Sequence, residues 1–251
     1  MKLRDWCYMR EKVEILGIKI DNVNMDEAAG VLAEYLSTDM CSMVFTPNSE
    51  ILVEAVKDRK LEAILNEGHL VVPDGIGVVI ASRFYGTPFK ERVAGFDLMM
   101  RLMEMADSRG NSVFLMGGKE GVAEEAAIKL TERYSGLRIS GTRNGYFGSN
   151  EEEKIINDIN GCNADILLVA LGAPKQEKFI YKHRQELKVK IAMGIGGSLD
   201  ILAGRAKRAP VFYQKAGLEW FYRLIKEPKR IIRMMRLPKF IALAFFDAKT
   251  R

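Results

Sequence analysis

Short apolar runs and stretches of helical periodicity alternate along most of this chain. "VEILGIKI" reads as a strand, and Asn24 stands as an N-cap before the helical stretch "MDEAAGVLAEYLS". "SMVFT" predicts a strand and "SEILVEAVKD" a helix, after which "HLVVP" closes at Asp74 and a glycine turn. The loop "TPFKERVAGF" leads into the helix "DLMMRLMEMADSRG", with Gly110 as its C-terminal cap. "SVFLMGG", "RISGTRNGYF" and "DILLVALG" each precede a helical stretch, and "VKIAMGIGG" closes the series. Alternation this regular predicts the α/β class: a Rossmann-like, mostly parallel sheet with helices on both faces.

The character of the chain changes near "AGRAKRAPVFYQ", beyond which it is helical, aromatic and basic. Residues 1–204 are therefore expected to form the Rossmann-like α/β domain, and 205–251 a helical C-terminal appendage docked on or near it. Pro228 and Pro238 are expected to divide that appendage into short helices.

Charge sharpens this division. From Arg205 onward there are 13 Lys/Arg against 3 Asp/Glu, a net +10, which leaves −5 for residues 1–204 out of the total of +5. The basic character belongs to the tail, and a partner is to be sought there. With 48% hydrophobic and 28% charged residues the composition is that of a soluble globular protein. No apolar run approaches the ~20 residues of a spanning helix, and "MKLRDWCYMREKVE" lacks a signal peptide's apolar centre. Cytoplasmic residence is the expectation.

Cys7, Cys41 and Cys162 are few and scattered, as reduced thiols are, and His69 and His183 offer little material for a metal site or a Ser-His-Asp triad. Neither a dinucleotide G-x-G-x-x-G nor a P-loop occurs, which disfavours an oxidoreductase or a P-loop ATPase.

In an open parallel sheet, ligands bind beyond the carboxyl ends of the strands. Four polar or glycine clusters fall at such ends: "TPN" at 46–48, "PDGIG" at 73–77, "MGGKEG" at 116–121 and "LGAPKQE" at 171–177. Thr46, Asn48, Asp74 and Gln176 are thereby expected to face one cleft. Each also has a plainer reading: Asn48 or Asp74 as a helix cap, Thr46 as an ordinary strand end, Gln176 as an exposed first-turn residue. Gly117 and Gly118 can bring backbone N–H groups close to a phosphate.

No Asp-x-Asp is present to hold a metal diphosphate, so cationic side chains are expected to neutralise any departing diphosphate without a metal. Arg223, Arg230, Arg233 and Arg236 supply them, interleaved with large apolar residues from Trp220 to Met235. This mixture fits an interfacial helix on an anionic membrane, against a core-packing helix with a solvated basic face. Nucleic acid is not expected, because no nucleic-acid motif accompanies the charge. The apolar residues of the tail also suit a homo-oligomer contact.

Taken together, "TPN", "PDGIG", "RVAGFDL", "LGAPKQE", "GIGGSLDILAGRAKRAP" and "GLEWFYRLIKEPKRIIR" resemble the WecG/TagA/CpsF family of bacterial glycosyltransferases, in matching order from about residue 13 to 240. The resemblance implies an inverting transferase that moves N-acetylmannosamine from its UDP donor to undecaprenyl-diphosphate-linked N-acetylglucosamine. It would act peripherally on the inner face of the bacterial cell membrane. The wall teichoic acid branch is the nearest in pattern, with the capsule and common-antigen branches as alternatives.

Carried over by motif, the resemblance places Thr46, Asn48, Asp74, Arg92 and Gln176 in one pocket, with Arg223, Arg230 and Arg233 closing over it at the membrane. Asp74 is then the candidate base and Thr46 its catalytic companion, while Asn48, Arg92 and Gln176 position sugar and diphosphate. A chain cut after about Arg205 is expected to keep a folded core with little activity. The competing class is a membrane-surface adaptor without catalysis.

Overall fold

The first apolar run, read as one strand, folds back on itself in the computed structural model, which describes residues 10–226 and 235–250. Strands β1 (Lys12–Ile15) and β2 (Ile18–Asp21) pair antiparallel about Leu16 and Gly17. Both turn residues have positive φ, 51° and 82°. A two-residue turn of that hand suits the twist of paired strands, and glycine adopts it without steric cost. Periodicity alone does not reveal where an alternating run reverses. At the end of the hairpin, buried Asp21 accepts hydrogen bonds from Arg10 at 3.0 Å and from the N–H of Val71 at 2.8 Å, tying the hairpin to the main sheet.

Helix α1 (Met25–Tyr35) begins at Asn24 as the sequence predicts, in a reciprocal capping box with Glu27. Strand β3 (Ser42–Phe45) is followed by α2 (Ser49–Ala55) and by α3 (Arg59–Asn66), a helix the sequence reading did not assign. Asp58 starts α3 by accepting from the N–H groups of Lys60 and Leu61, both at 3.1 Å. Next come β4 (Leu70–Val71), α4 (Ile76–Ser82) and α5 (Gly95–Arg109), which ends at Gly110 with φ 70°. The remaining strands are β5 (Ser112–Gly117), β6 (Arg138–Arg143), β7 (Ile166–Ala170) and β8 (Ile191–Gly194). Between and after them lie α6 (Val122–Arg133), α7 (Glu152–Gly161), α8 (Lys175–His183), α9 (Ser198–Leu202), α10 (Val211–Lys215), α11 (Glu219–Lys226) and α12 (Arg236–Thr250).

Six strands form one sheet in the order β4-β3-β8-β7-β5-β6, and every pairing in it is parallel. All carboxyl ends therefore lie along one edge. Successive side chains point to opposite faces, so Met43 and Phe45 join one core while Val44 joins the other. α1, α5 and α6 cover the Val44 face; α2, α3, α4, α7, α8 and α12 cover the opposite one. The expected Rossmann-like architecture with helices on both faces is what the chain adopts.

Pro238 sits in the first turn of the 15-residue α12, where its missing N–H is tolerated. Pro228 lies outside the described residues. Phe240 and Ala244 of α12 are fully buried against α2 and α4. Arg236 reaches Glu54 at 3.3 Å, and the hydroxyl of Tyr85 donates to Asp247 at 2.8 Å. Among the described residues no helix is long and apolar enough to cross a membrane.

Candidate active site

Thr46 is the first residue beyond β3, and the register Phe45↔Val71 puts Asn48 level with Asp74 on the neighbouring strand end. The start of α5 faces Thr46 with a glycine: a Cβ on Gly95 would come within 2.8 Å of the Thr46 hydroxyl oxygen. Asn48 is exposed and does cap α2, its Oδ1 accepting from the N–H groups of Glu50 at 2.9 Å and Ile51 at 3.2 Å. Asp74 is not the cap of α4. That position falls one residue later, on Gly75, which makes no side-chain capping bond. Asp74 is half-buried at this end of the sheet.

On the other side of β3 lies β8, and the register Val44↔Met193 sets Thr46 beside Ile195, just past the β8 end. Gln176 belongs to this part of the edge. It is 5% exposed, against the plainer reading of an exposed first-turn residue. Its Oε1 accepts from the N–H of Gly196 at 3.0 Å, and its Nε2 donates to Glu177 at 2.8 Å. The space it fills exists because residue 194 is glycine: a Cβ there would lie 2.7 Å from Nε2.

Further along the edge, beyond β7 and β5, is a cleft of about 910 Å³. Gly118, Tyr146, Phe147 and Asp200 line it together with five cations, Lys119, Lys175, Lys178, Lys182 and Arg205. Three of these cations are engaged: Lys178 with Asp58, Lys182 with Glu152, and Arg205 with Glu125 at 2.8 Å. Gly117 lies beneath the cleft with φ 136°, so close to β7 that a Cβ would stand 2.4 Å from the Ala170 carbonyl oxygen. The N–H of Gly118 donates to that same carbonyl at 3.3 Å. These two glycines shape the cleft, and the N–H of Gly118 is committed to the sheet.

The cleft does not include Thr46 or Asp74. With strands about 4.8 Å apart, three steps from β5 across β7 and β8 to β3 span on the order of 15 Å. Gln176 and the Gly194–Gly196 turn lie between the two regions along the edge.

Half-buried Arg92 is engaged by the C-terminal region: Nη2 donates to the Gln214 carbonyl at 3.2 Å, and Nη1 is 4.0 Å from Glu219. Arg208, not singled out from the sequence, joins this cluster. It makes a two-pronged bond to Asp97, each arm 2.7 Å, stacks over Phe96, and lies 3.5 Å from Glu219. Burial works against its charge, but Asp97 and Glu219 more than offset that and raise its pKa. "GRAKRAP" contained Arg208, but only the fold shows that it meets the turn bearing Asp97. The side chain of Arg223, and the whole of Arg230 and Arg233, lie outside the described residues.

In a parallel α/β sheet, a cationic cleft and polar side chains along one carboxyl edge stand where such folds bind ligands. The chain belongs to the glycosyl transferase WecG/TagA/CpsF family, whose model matches residues 13–251. A Bacillus spizizenii protein is 37% identical over 82% of this chain and 80% of its own length. One from Bacillus subtilis is 35% identical over 86% and 84%, and one from Staphylococcus aureus 33% identical over 92% and 91%. All three are named N-acetylglucosaminyldiphosphoundecaprenol N-acetyl-beta-D-mannosaminyltransferase.

Proposed function

We propose that this chain transfers N-acetylmannosamine from UDP-N-acetylmannosamine to undecaprenyl-diphosphate-linked N-acetylglucosamine, forming the linkage disaccharide lipid of wall teichoic acid. The observation that carries this reading is the shared name of relatives aligned over four fifths or more of both chains. The donor's nucleotide lies in the cleft beneath Lys119 and Lys175, and the sugar extends past Gln176 to the Thr46–Asp74 rim. There the acceptor hydroxyl oxygen bonds to the anomeric carbon as the bond to UDP breaks. Its proton passes to Asp74, and the electron pair leaves on the β-phosphate. Thr46 orients the reacting sugars, and Asn48, Arg92 and Gln176 position sugar and diphosphate.

The appendage, residues 205–251, completes the site at the membrane. Exposed Phe212, Ile225, Phe245 and Phe246, beside the tail's cations, support peripheral binding to an anionic inner leaflet through that surface, or packing between two copies when no membrane is present. Arg223, Arg230 and Arg233 then close over the diphosphate, with no metal required.

The test is to incubate the full chain, in EDTA, with UDP-N-acetylmannosamine and a short-chain prenyl-diphosphate-N-acetylglucosamine. Disaccharide-lipid matched by UDP release is expected. Absence of product with this donor and with its glucosamine epimer would overturn the reading and favour a non-catalytic adaptor.

A further inference from the structure

Glu177, next to Gln176 on α8, is among the few charged side chains in the interior, 3% exposed. One carboxyl oxygen accepts from Gln176 Nε2 at 2.8 Å; the other is buried without a hydrogen-bond partner among the described residues. A buried acid in this state costs stability, and an apolar side chain of the same size would fill the space more cheaply. Besides its own backbone N–H, the described residue it bonds is Gln176, an amide whose other end is fixed by the Gly196 N–H.

An amide clamped between a donor and an acceptor has only one orientation open to it. Gly196 N–H requires oxygen on its side, and Glu177 requires the NH₂ group on the other. The second proton of Nε2 and the second lone pair of Oε1 then keep fixed directions.

We infer that Glu177 is a positioning residue for the transfer, its carboxyl locking the Gln176 amide in the one orientation the substrate meets. This rests on the assignment of Gln176 to the site. Burial pushes the Glu177 pKa up from its ordinary 4.5, against the hydrogen bond from Gln176, which lowers it. The sign follows: the folded chain keeps a proton that the unfolded chain gives up above pH 4.5. Stability from this group is fully present below that pH and is lost as pH rises through the folded value. Its charge has no part in the clamp, so a neutral acceptor of the same shape serves equally.

The experiment compares Glu177→Met, Glu177→Gln and Gln176→Ala in the full chain by kcat, KM for the UDP-sugar, and melting temperature across pH. Glu177→Met is expected to lower kcat by about tenfold or more, with a melting temperature equal to the parent's or higher, by a margin that widens above pH 4.5. Glu177→Gln is expected to rescue most of that loss and to keep the parent's pH–rate profile. Full activity in Glu177→Met overturns the inference, as does a fall in activity and melting temperature together, which marks a merely structural acid. Equal loss in Glu177→Gln also overturns it, because the carboxyl would then act in its own right. If Gln176→Ala is as active as the parent, it is the placement of Gln176 in the site that has failed; if Gln176→Ala is impaired while Glu177→Met is not, only the present inference falls.

Discussion

At Gly194 a single hydrogen atom separates a working rim from a crowded one. Because a Cβ there would stand 2.7 Å from Gln176 Nε2, the amide must move when residue 194 gains a side chain. We predict that Gly194→Ala lowers kcat by about ten- to a hundredfold, as misplacement of a positioning group does. Its stability cost is predicted at about 1–3 kcal/mol, the usual price of overpacking; steady-state kinetics and urea denaturation check both. Parental kcat in this variant would detach Gln176 from the chemistry. Thr46, Asn48 and Asp74 were legible in the sequence because polar residues at strand ends stand out locally. Helix capping was read as an alternative for both Asn48 and Asp74, and it holds for Asn48 alone, since which residue begins the next helix decides it. Gln176 was expected at this same edge, and what the sequence did not reveal is the burial that excludes the plainer, exposed reading. The room that buries it is made by Gly194 and Gly196, 18 and 20 residues further along.

Elements follow the same rule, with local signals read well and long-range packing read poorly. Asn24 and Gly110 mark helix ends by their own chemistry, and the structure places both where the sequence did. The β1–β2 hairpin was hidden because Leu16 is an unusual residue at positive φ and leaves the apolar run unbroken. α3 carries a visible signal, Asp58 before "RKLEAILN", that the reading passed over. For α12 the amphipathic character was evident but its partner was not. Phe240 is fully buried against the α/β unit, so the last helix is part of that unit's core. Phe240→Ala is predicted to cost about 3–5 kcal/mol in urea denaturation, within the range for large-to-small core changes. A loss below about 1 kcal/mol would show that α12 does not stabilise the α/β unit. A chain cut after Arg205 loses this packing, so its activity must be judged against its melting temperature.

For the whole molecule, the division of charge between residues 1–204 and the tail was readable from composition and points the basic surface toward an anionic partner. What composition does not contain is the strand order. Only β4-β3-β8-β7-β5-β6 sets the cationic cleft and the Thr46–Asp74 rim apart along one edge with Gln176 between them. In the proposed transfer Asp74 takes the acceptor's proton at the rim. Turnover of Asp74→Asn should therefore be measured beside the parent, with UDP affinity and melting temperature matched to show that fold and cleft are intact. A fall in kcat of about a hundredfold or more, within the range of a lost general base, is the predicted result. Turnover within a few-fold of the parent would contradict it and remove Asp74 from the chemistry.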